Sequence, residues 1–315
     1  MLCFSLDIGG SSVKSAICDV TESRVNVVSA CEPLAVTSRD FTALKALILD
    51  AVDDALRSEA GITAVALSTT GAVNRGGRVL SAGHFHGYED ISWAEILKGQ
   101  FPALSRVVTV NDGKASTWAE YCHLDEPSEV FAHFVVGTGV GGGLVCFDKL
   151  LCGDDETAGA LGHMKVDLCS RVVCSCGRTG CVETVASGPS ILRAYSLSTS
   201  SSEPITLDAI AELARRGNSE AIDAFTMAGS WLGVAISNII NLLNPRFITV
   251  GGGVLLSSST INDAEGGPYL QAAITRAHEL AFEDIAAATR IVIARYGNNG
   301  GLLGAALLAS GVNQA

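Results

Sequence analysis

The sequence predicts an α/β protein built from two related halves, and three observations lead to that prediction. Strand-like and helix-like segments alternate along the chain, which is typical of α/β architectures. The opening pattern FSLDIGGSSVKSAIC, a strand, a Gly-rich turn and a strand, returns near residue 130 as FAHFVVGTGVGGGLVCF. With 315 residues, of which 48% are hydrophobic, the chain is long and apolar enough for two domains.

The elements of the first half follow from the spacing of apolar residues. Strands are expected at residues 3–7, 13–19, 24–30, 64–68 and 107–110. Helices are expected at about 41–60, where apolar residues recur at helical spacing, and after Asp112, through Trp118 and Tyr121. Residues 1–112, joined by about 298–315, are expected to form a small N-terminal α/β domain.

The second half begins with the repeated hairpin and is expected to form a larger C-terminal α/β domain over residues 113–297. Helices are predicted at 207–216 and 218–243, and strands at 247–250 and 290–294. The stretch YSLSTSSSEP at 195–204 predicts a mobile surface loop. A small-residue helix in GNNGGLLGAALLAS is expected to pack back on the first half.

Composition excludes several classes of function. The net charge of −12 is diffuse, whereas nucleic-acid binding needs clustered Lys and Arg. The first residues lack the basic segment of a signal peptide, and no run of eighteen apolar residues predicts a membrane span. A cytoplasmic protein without nucleic-acid or membrane partners is therefore expected. Ten cysteines in such a protein favour metal ligation or burial over a disulfide framework.

The first Gly-rich turn is a candidate phosphate-binding loop. Its sequence, DIGGSS, comprises Asp7, Gly9, Gly10, Ser11 and Ser12 around one apolar residue. Glycines let backbone N–H groups approach an anion closely, and Ser hydroxyls add further donors. The acid at the end of the strand could orient Mg²⁺ or its waters. The alternative is a tight hairpin that binds nothing.

The second turn, GTGVGGG, carries five glycines in seven residues, more than a turn needs. Thr138, Gly139, Gly141 and Gly142 are its candidate phosphate-binding residues, and two such loops together favour phosphate binding. Gly252, after a buried strand, is a weaker candidate. It could form a strand-to-helix turn or a surface against which adenine and ribose lie.

Asn111 and Asp112 stand at the carboxyl end of a buried strand, where open α/β sheets place their ligands. An Asp at this place can accept a proton from an attacking hydroxyl, the role of the base in phosphoryl transfer to alcohols. The alternative is that Asp112 caps the helix that follows.

One His and three Cys within nineteen residues give the most specific pattern in the sequence. His163, Cys174, Cys176 and Cys181 match the Cys₃His composition of a closed structural zinc site. Glycines in CSCGRTGC allow the tight turns that bring three thiolates to one ion. A redox-active or unliganded cysteine cluster is the alternative.

Together these motifs resemble the ROK family of sugar kinases and repressors, over nearly the whole chain. DIGGSS is similar to the family's first phosphate loop, DxGGT, and TGVGGG to its second. GHMKVDLCSRVVCSCGRTGCVE fits the family's zinc signature, GH…CxCGxxGCxE. The resemblance implies a duplicated actin-like, hexokinase-like (ribonuclease H-like) fold with two domains and a central cleft.

The resemblance also implies an ATP-dependent sugar kinase using Mg²⁺ with ATP and a structural Zn²⁺. Asp112 would be the general base, and Asn111 would bind sugar hydroxyls. His163 would ligate zinc through one nitrogen and touch the sugar through the other. Glu183 would accept hydrogen bonds from the sugar, and Gly71 would line its pocket. Relatives are often dimers, so a homodimer is expected.

Two departures from the family pattern bear on the substrate. Ala160 stands where many relatives have a sugar-binding Glu, and Ser12 stands where many have a Lys. A carboxylate missing at position 160 fits members of the family that phosphorylate N-acetylmannosamine in sialic acid catabolism better than glucokinases. The expected reaction is phosphorylation of O6 of N-acetylmannosamine, with glucose, N-acetylglucosamine or another hexose as alternatives. A sugar-responsive repressor or a non-catalytic sugar sensor is the expectation from another class.

Overall fold

The computed structural model describes residues 1–21, 24–82, 85–154, 157–201, 203–262 and 264–311. The strands are β1 (Leu2–Ile8), β2 (Ser12–Val20), β3 (Val25–Ala30), β4 (Leu34–Ala35), β5 (Ile62–Thr69), β6 (Ala72–Val73), β7 (Arg78–Ser81), β8 (Ile91–Ser92), β9 (Arg106–Asn111), β10 (Val130–Val136), β11 (Val140–Cys146), β12 (Lys149–Leu150), β13 (Phe247–Gly251) and β14 (Arg290–Ile293). The α-helices are α1 (Phe41–Ser58), α2 (Trp93–Gln100), α3 (Asp112–Tyr121), α4 (Glu183–Ala186), α5 (Gly188–Thr199), α6 (Leu207–Arg215), α7 (Ser219–Leu243), α8 (Gly253–Ser258), α9 (Gly267–Leu280), α10 (Glu283–Ala288) and α11 (Gly300–Ala309).

The chain divides into two compact units. Unit 1 comprises Met1–Glu126, Asp148–Gly159 and Asn299–Ala315, and unit 2 comprises Pro127–Phe147 and Ala160–Asn298. Helix α3 therefore lies in unit 1, whereas the sequence-based division assigned residues after 112 to the second domain. The terminal helix α11 also belongs to unit 1, where it packs against α3, β1 and β5. The division into two domains that the sequence indicates stays a prediction.

Unit 1 is built on a mixed sheet with the strand order β3-β2-β1-β5-β9, in which β4 also pairs with β2. β1 is antiparallel to β2 and parallel to β5, which is parallel to β9. The carboxyl ends of β1, β5 and β9 therefore share one edge of the sheet, and this edge carries Asp7 and Asn111. A small antiparallel sheet, β6-β7-β8, and helix α2 were not predicted from the sequence.

Unit 2 repeats the arrangement of unit 1. Its hairpin β10–β11 is antiparallel. On its other side β10 is parallel to β13, which is parallel to β14. Each unit thus consists of a Gly-turned hairpin followed by parallel strands with helices on the sheet. This topology confirms the predicted α/β class and the predicted duplication.

Helix α7 forms the core of unit 2, although its length and composition alone would also suit a membrane-spanning helix. Half of the most apolar 18-residue stretch of this helix is buried inside the protein. Phe225, Leu232 and Ile236 are fully buried on it. At its contact with α9, a Cβ on Gly229 would lie only 2.0 Å from the carbonyl oxygen of Tyr269. The close helix packing therefore depends on this glycine.

The Ser-rich stretch 195–204 differs from the predicted loop, because α5 continues through it to Thr199. The hydroxyls of Ser198 and Thr199 both donate to the carbonyl oxygen of Tyr195 at 2.9 Å. These hydrogen bonds let a serine-rich sequence remain helical. Ser202, which also falls in the predicted loop, lies outside the described residues.

Candidate active site and metal centre

The first glycine loop joins β1 to β2. The Gly9 N–H donates to the Ser12 carbonyl at 3.0 Å and closes the turn. Just before the loop, the Asp7 carboxylate accepts a hydrogen bond from the Ser68 hydroxyl at 2.8 Å. Burial raises the pKa of Asp7, while the Ser68 hydrogen bond and the charge of Lys14 oppose that rise. Lys14 lies directly across the hairpin from Asp7.

Asp112 is the first residue of α3. Its Oδ1 accepts hydrogen bonds from the Gly113 N–H at 2.8 Å and from the Asn111 side-chain amide at 3.0 Å. Burial is the larger cause, and the negative charge of Asp7 the smaller one, of a rise in the pKa of Asp112 to about 6. A carboxylate with a pKa slightly below neutral pH suits a general base, because it is ionised yet still attracts a proton.

The predicted alternative for Asp112, a helix cap, belongs instead to its neighbour. Asn111 is the N-cap of α3, and its Oδ1 accepts from the Lys114 N–H at 3.1 Å. Its amide nitrogen donates to the Gly71 carbonyl at 2.9 Å as well as to Asp112. Both amide hydrogens are thereby used, so Asn111 has only acceptor capacity left on Oδ1 for a ligand.

Gly71 needs to be glycine for two reasons. Its φ of +96° is a backbone conformation that other residues rarely adopt, and a Cβ there would lie 2.1 Å from the Ser81 carbonyl oxygen. The hydrogen bond from Asn111 therefore ties the end of β9 to a fixed turn after β5. In unit 1 the structure thus brings Asp7, Gly71, Asn111 and Asp112 to the same sheet edge.

The second glycine loop joins β10 to β11, with Thr138 exposed at its tip and Gly141 opposite Val135 in the hairpin. Gly142 allows close strand packing, since a Cβ there would lie 2.0 Å from the His133 carbonyl oxygen. Gly139 approaches the carboxylate of Glu183, whose Oε2 lies 2.6 Å from the position of a Cβ.

Gly252 forms the strand-to-helix turn between β13 and α8. With φ of +98° it precedes the helix, and a Cβ there would lie 2.3 Å from the carbonyl oxygen of Val136. Val136 is the last residue of β10, so this turn lies directly against the base of the second loop. A strand-to-helix turn, one of the two predicted alternatives for Gly252, accounts for its conformation. A ligand bound on the second glycine loop would lie near this turn.

Four donor side chains in unit 2 converge on one point. The candidate ligand atoms of His163, Cys174, Cys176 and Cys181 all lie within 4.8 Å of one another. For Zn–S and Zn–N bonds of about 2.3 and 2.0–2.1 Å, a tetrahedral ion places two sulfurs about 3.8 Å apart and nitrogen and sulfur about 3.6 Å apart. The distances from Cys176 Sγ to Cys181 Sγ, 3.7 Å, and from Cys174 Sγ to His163 Nδ1, 3.5 Å, match these values. The donor set therefore fits zinc.

Two further side chains, which the sequence did not single out, surround this cluster. The Lys165 ammonium donates to Cys181 Sγ at 2.8 Å. Three thiolates around a divalent ion leave one excess negative charge, which this ammonium can offset. The Ser175 hydroxyl donates to Glu183 Oε1 at 2.6 Å. The sequence between the ligands gave no signal for either contact.

Glu183 links the metal centre to the second glycine loop. Its Oε1 lies 3.2 Å from Cys174 Sγ, which can donate to it only as a thiol and not as a zinc-bound thiolate, while its Oε2 accepts from the Val140 N–H at 3.4 Å. Burial alone would favour the neutral acid, but the hydrogen bonds from the Ser175 hydroxyl and the Val140 N–H hold the pKa of Glu183 below its usual value. Glu183 is therefore a carboxylate at neutral pH, able to accept hydrogen bonds from a ligand.

The chain is similar to known proteins over nearly its whole length. The sequence model of the ROK family matches residues 3–312. The chain is 32% identical to the N-acetylmannosamine kinase of Salmonella heidelberg (strain SL476), with 99% of each chain covered.

Two solved structures are similar in fold. One is a ROK family glucokinase from Streptomyces griseus in complex with glucose and AMPPNP, with a TM-score of 0.81, 26% identity and coverage of 98% of this chain and 99% of that one. The other is the ROK hexokinase from Thermus thermophilus, with a TM-score of 0.78, 26% identity and 98% of each chain covered. The fold is thus the actin-like, hexokinase-like fold, and the chain belongs to the ROK family, as one of its ATP-dependent sugar kinases.

Proposed function

We propose that the protein phosphorylates O6 of N-acetylmannosamine with ATP and releases N-acetylmannosamine 6-phosphate and ADP. The observation that carries the chemistry is Asp112, a half-buried carboxylate with a pKa of about 6, which follows β9 at the sheet edge that also carries Asp7. The N-acetylmannosamine kinase among the relatives and Ala160 support the choice of sugar. A cytoplasmic location, a role in sialic acid catabolism and a homodimer belong to the same proposal.

The reaction is a direct in-line transfer. The O6 oxygen forms a bond to the terminal phosphorus of ATP as the bond from that phosphorus to the ADP oxygen breaks, and Asp112 takes the proton from O6. The backbone N–H groups of the two glycine loops bind the phosphate oxygens, and Asp7 holds Mg²⁺ or its waters. Mg²⁺, when bound, neutralises the charge that develops on the phosphates.

Asn111 positions the general base, Asp112. Its amide joins Asp112 to the fixed Gly71 turn, so the carboxylate keeps one orientation toward the hydroxyl. The sugar is expected to donate a hydroxyl hydrogen to the remaining acceptor site on Asn111 Oδ1. Glu183 and the free nitrogen of His163 are assigned to further sugar contacts on the strength of the family resemblance.

Zinc is proposed to have a structural role at His163, Cys174, Cys176 and Cys181. Four protein ligands leave no open position for a substrate or a water. The ion would hold the short turn Leu161–His163 and the segment before α4 together, and so fix His163 and Glu183.

Ala160 is the residue expected to decide between sugars. It precedes the turn Leu161–His163, and its exposed methyl group cannot accept a hydrogen bond. A sugar that needs a carboxylate acceptor there loses about 1–3 kcal/mol of binding free energy if the hydrogen bond is left unmade. Glucose is therefore expected to be a poorer substrate than N-acetylmannosamine.

A coupled assay of ADP release tests the proposal with N-acetylmannosamine, N-acetylglucosamine, glucose, mannose, fructose and allose. The expected result is the highest kcat/KM for N-acetylmannosamine, and a rise in relative kcat/KM for glucose in an Ala160→Glu variant. A preference for another sugar would overturn the substrate and keep the kinase. No turnover with any sugar by folded, zinc-containing protein would overturn the kinase and favour a sugar sensor.

A further inference from the structure

An arginine that the sequence did not single out lies over the first glycine loop. Nη1 of Arg39 is 3.0 Å, and Nη2 is 3.8 Å, from the point where a Cβ on Gly10 would lie. The guanidinium thus takes the place that a side chain on Gly10 would occupy. Its own side chain is exposed, so a ligand on the loop can reach it.

The segment that carries Arg39 is fixed to the loop and to the protein beneath it. The Val36 N–H donates to the Ser11 carbonyl at 2.9 Å, which holds the chain after β4 alongside the loop. The His86 N–H donates to the Arg39 carbonyl at 2.7 Å. The guanidinium also lies over the ring of Phe85, 5.7 Å from the ring centroid, and this ring is buried.

The hydrogen-bond donors of this guanidinium are unused within the described part of the chain. The neighbouring carboxylate, Asp40, does not pair with it, because it caps α1 by accepting from the Thr42 N–H at 2.8 Å. Arg39 makes no side-chain hydrogen bond and no ion pair with any residue that the structure describes. An arginine held in place with free donors over a glycine turn has the chemistry of an anion clamp.

The charge of the two hairpins points to the same conclusion. Within residues 2–20 and 130–146, Lys14 is the only Lys or Arg, while the protein as a whole carries a net charge of −12. A nucleoside triphosphate brings several negative charges to loops that offer mainly backbone N–H groups. Arg39 adds a planar cation that can give two parallel hydrogen bonds to one phosphate group.

We infer that Arg39 binds the phosphate chain of the nucleotide over the first glycine loop. The inference rests on the proposed function, in which that loop binds ATP. It adds a binding residue from a segment outside both glycine motifs. The contact with the Phe85 ring restrains the guanidinium before the nucleotide arrives, so less side-chain freedom is lost on binding.

Binding of ATP, ADP and AMP with Mg²⁺, measured by isothermal titration calorimetry, tests the inference without requiring turnover. Arg39→Met should weaken ATP binding by about 10- to 100-fold, the effect of losing hydrogen bonds to a charged group, and leave AMP binding nearly unchanged. Arg39→Lys should retain part of the affinity, since the charge remains while the planar fork is lost. Phe85→Leu, which removes the aromatic ring beneath the guanidinium, should give an intermediate loss.

Arg57→Met is the matched control. Arg57 is another exposed arginine of unit 1, paired with Asp53 at 2.6 Å, and its removal changes the net charge equally. Equal ATP affinities for the Arg39→Met and Arg57→Met variants, or an equal loss for ATP and AMP, would overturn the inference. Thermal melting shows whether each variant is folded, and ADP release by the unaltered protein tests the kinase separately.

Discussion

Replacement of Asp112 by Asn is the change that bears most directly on the mechanism. The amide has nearly the same shape as the carboxylate and can still accept from the Gly113 N–H, so the start of α3 should remain intact. An amide does not take up a proton at neutral pH. Loss of general-base catalysis is expected to lower kcat by about 10²- to 10⁴-fold.

The pH profile gives a second magnitude for the same residue. With a pKa of about 6, Asp112 is about 90% ionised at pH 7 and about 10% ionised at pH 5. Activity that depends on the ionised form should therefore fall about tenfold between these pH values. The charge of Asp7 raises this pKa, so an Asp7→Asn variant should have a lower pKa at Asp112. Its activity, relative to its own maximum, should therefore fall only at lower pH than that of the unaltered protein.

The assay is ADP release at saturating ATP, Mg²⁺ and sugar between pH 5 and 8. Zinc binding in general weakens in acid, because metal ligands must be deprotonated, so the zinc content is measured at each pH. Asp125→Asn, which removes an exposed carboxylate from the same unit, serves as the control and should leave the profile unchanged. Near-normal turnover by Asp112→Asn, or an unaltered acid limb in Asp7→Asn with zinc retained, would refute the reasoning.

Three further predictions concern zinc retention and stability. Lys165→Met removes the ammonium that donates to Cys181, so zinc should pass faster to a chromophoric chelator; equal release rates would contradict this role. Burial lowers the pKa of His133 to about 3, so below about pH 6.5 the unfolded chain binds a proton that the folded protein does not. Between pH 7 and 5, the free energy of unfolding of the unaltered protein should therefore fall by about 2 kcal/mol more than that of a His133→Gln variant. Urea unfolding that shows the same loss in both proteins would exclude this cause. Gly304→Ala should lower the free energy of unfolding by about 1–3 kcal/mol, because its Cβ would lie 1.7 Å from a backbone oxygen of α3. Gly99→Ala, which has open space around its Cβ, should not lower it. Equal urea midpoints for the two variants would refute the packing argument.

The sequence was most informative where function requires a contiguous pattern. Both glycine hairpins and the four candidate zinc ligands could be located because glycine turns and CxC spacing are local features. The α/β class followed from alternating periodicity for the same reason. These features do not depend on which distant segment packs against them.

Side-chain partners could not be predicted from local patterns. Both Asn111 and Asp112 suit a helix cap, and only the fold shows that Asn111 caps α3 while Asp112 remains an acceptor. Arg39 comes to lie over Gly10 through backbone pairing of a polar segment that has no motif. The helical path through 195–199 was missed because hydroxyl groups bond back to the helix, against the tendency of serine toward loops.

The central claim, direct transfer of phosphate from ATP to a sugar, is tested most directly by phosphorus NMR of the complete reaction. With zinc-containing protein, ATP, Mg²⁺ and N-acetylmannosamine, the signal of the terminal phosphate should be replaced by one phosphomonoester signal coupled to the protons on C6. One sugar phosphate should appear for each ADP. ATP that stays intact, or that yields only inorganic phosphate and ADP, would contradict the account.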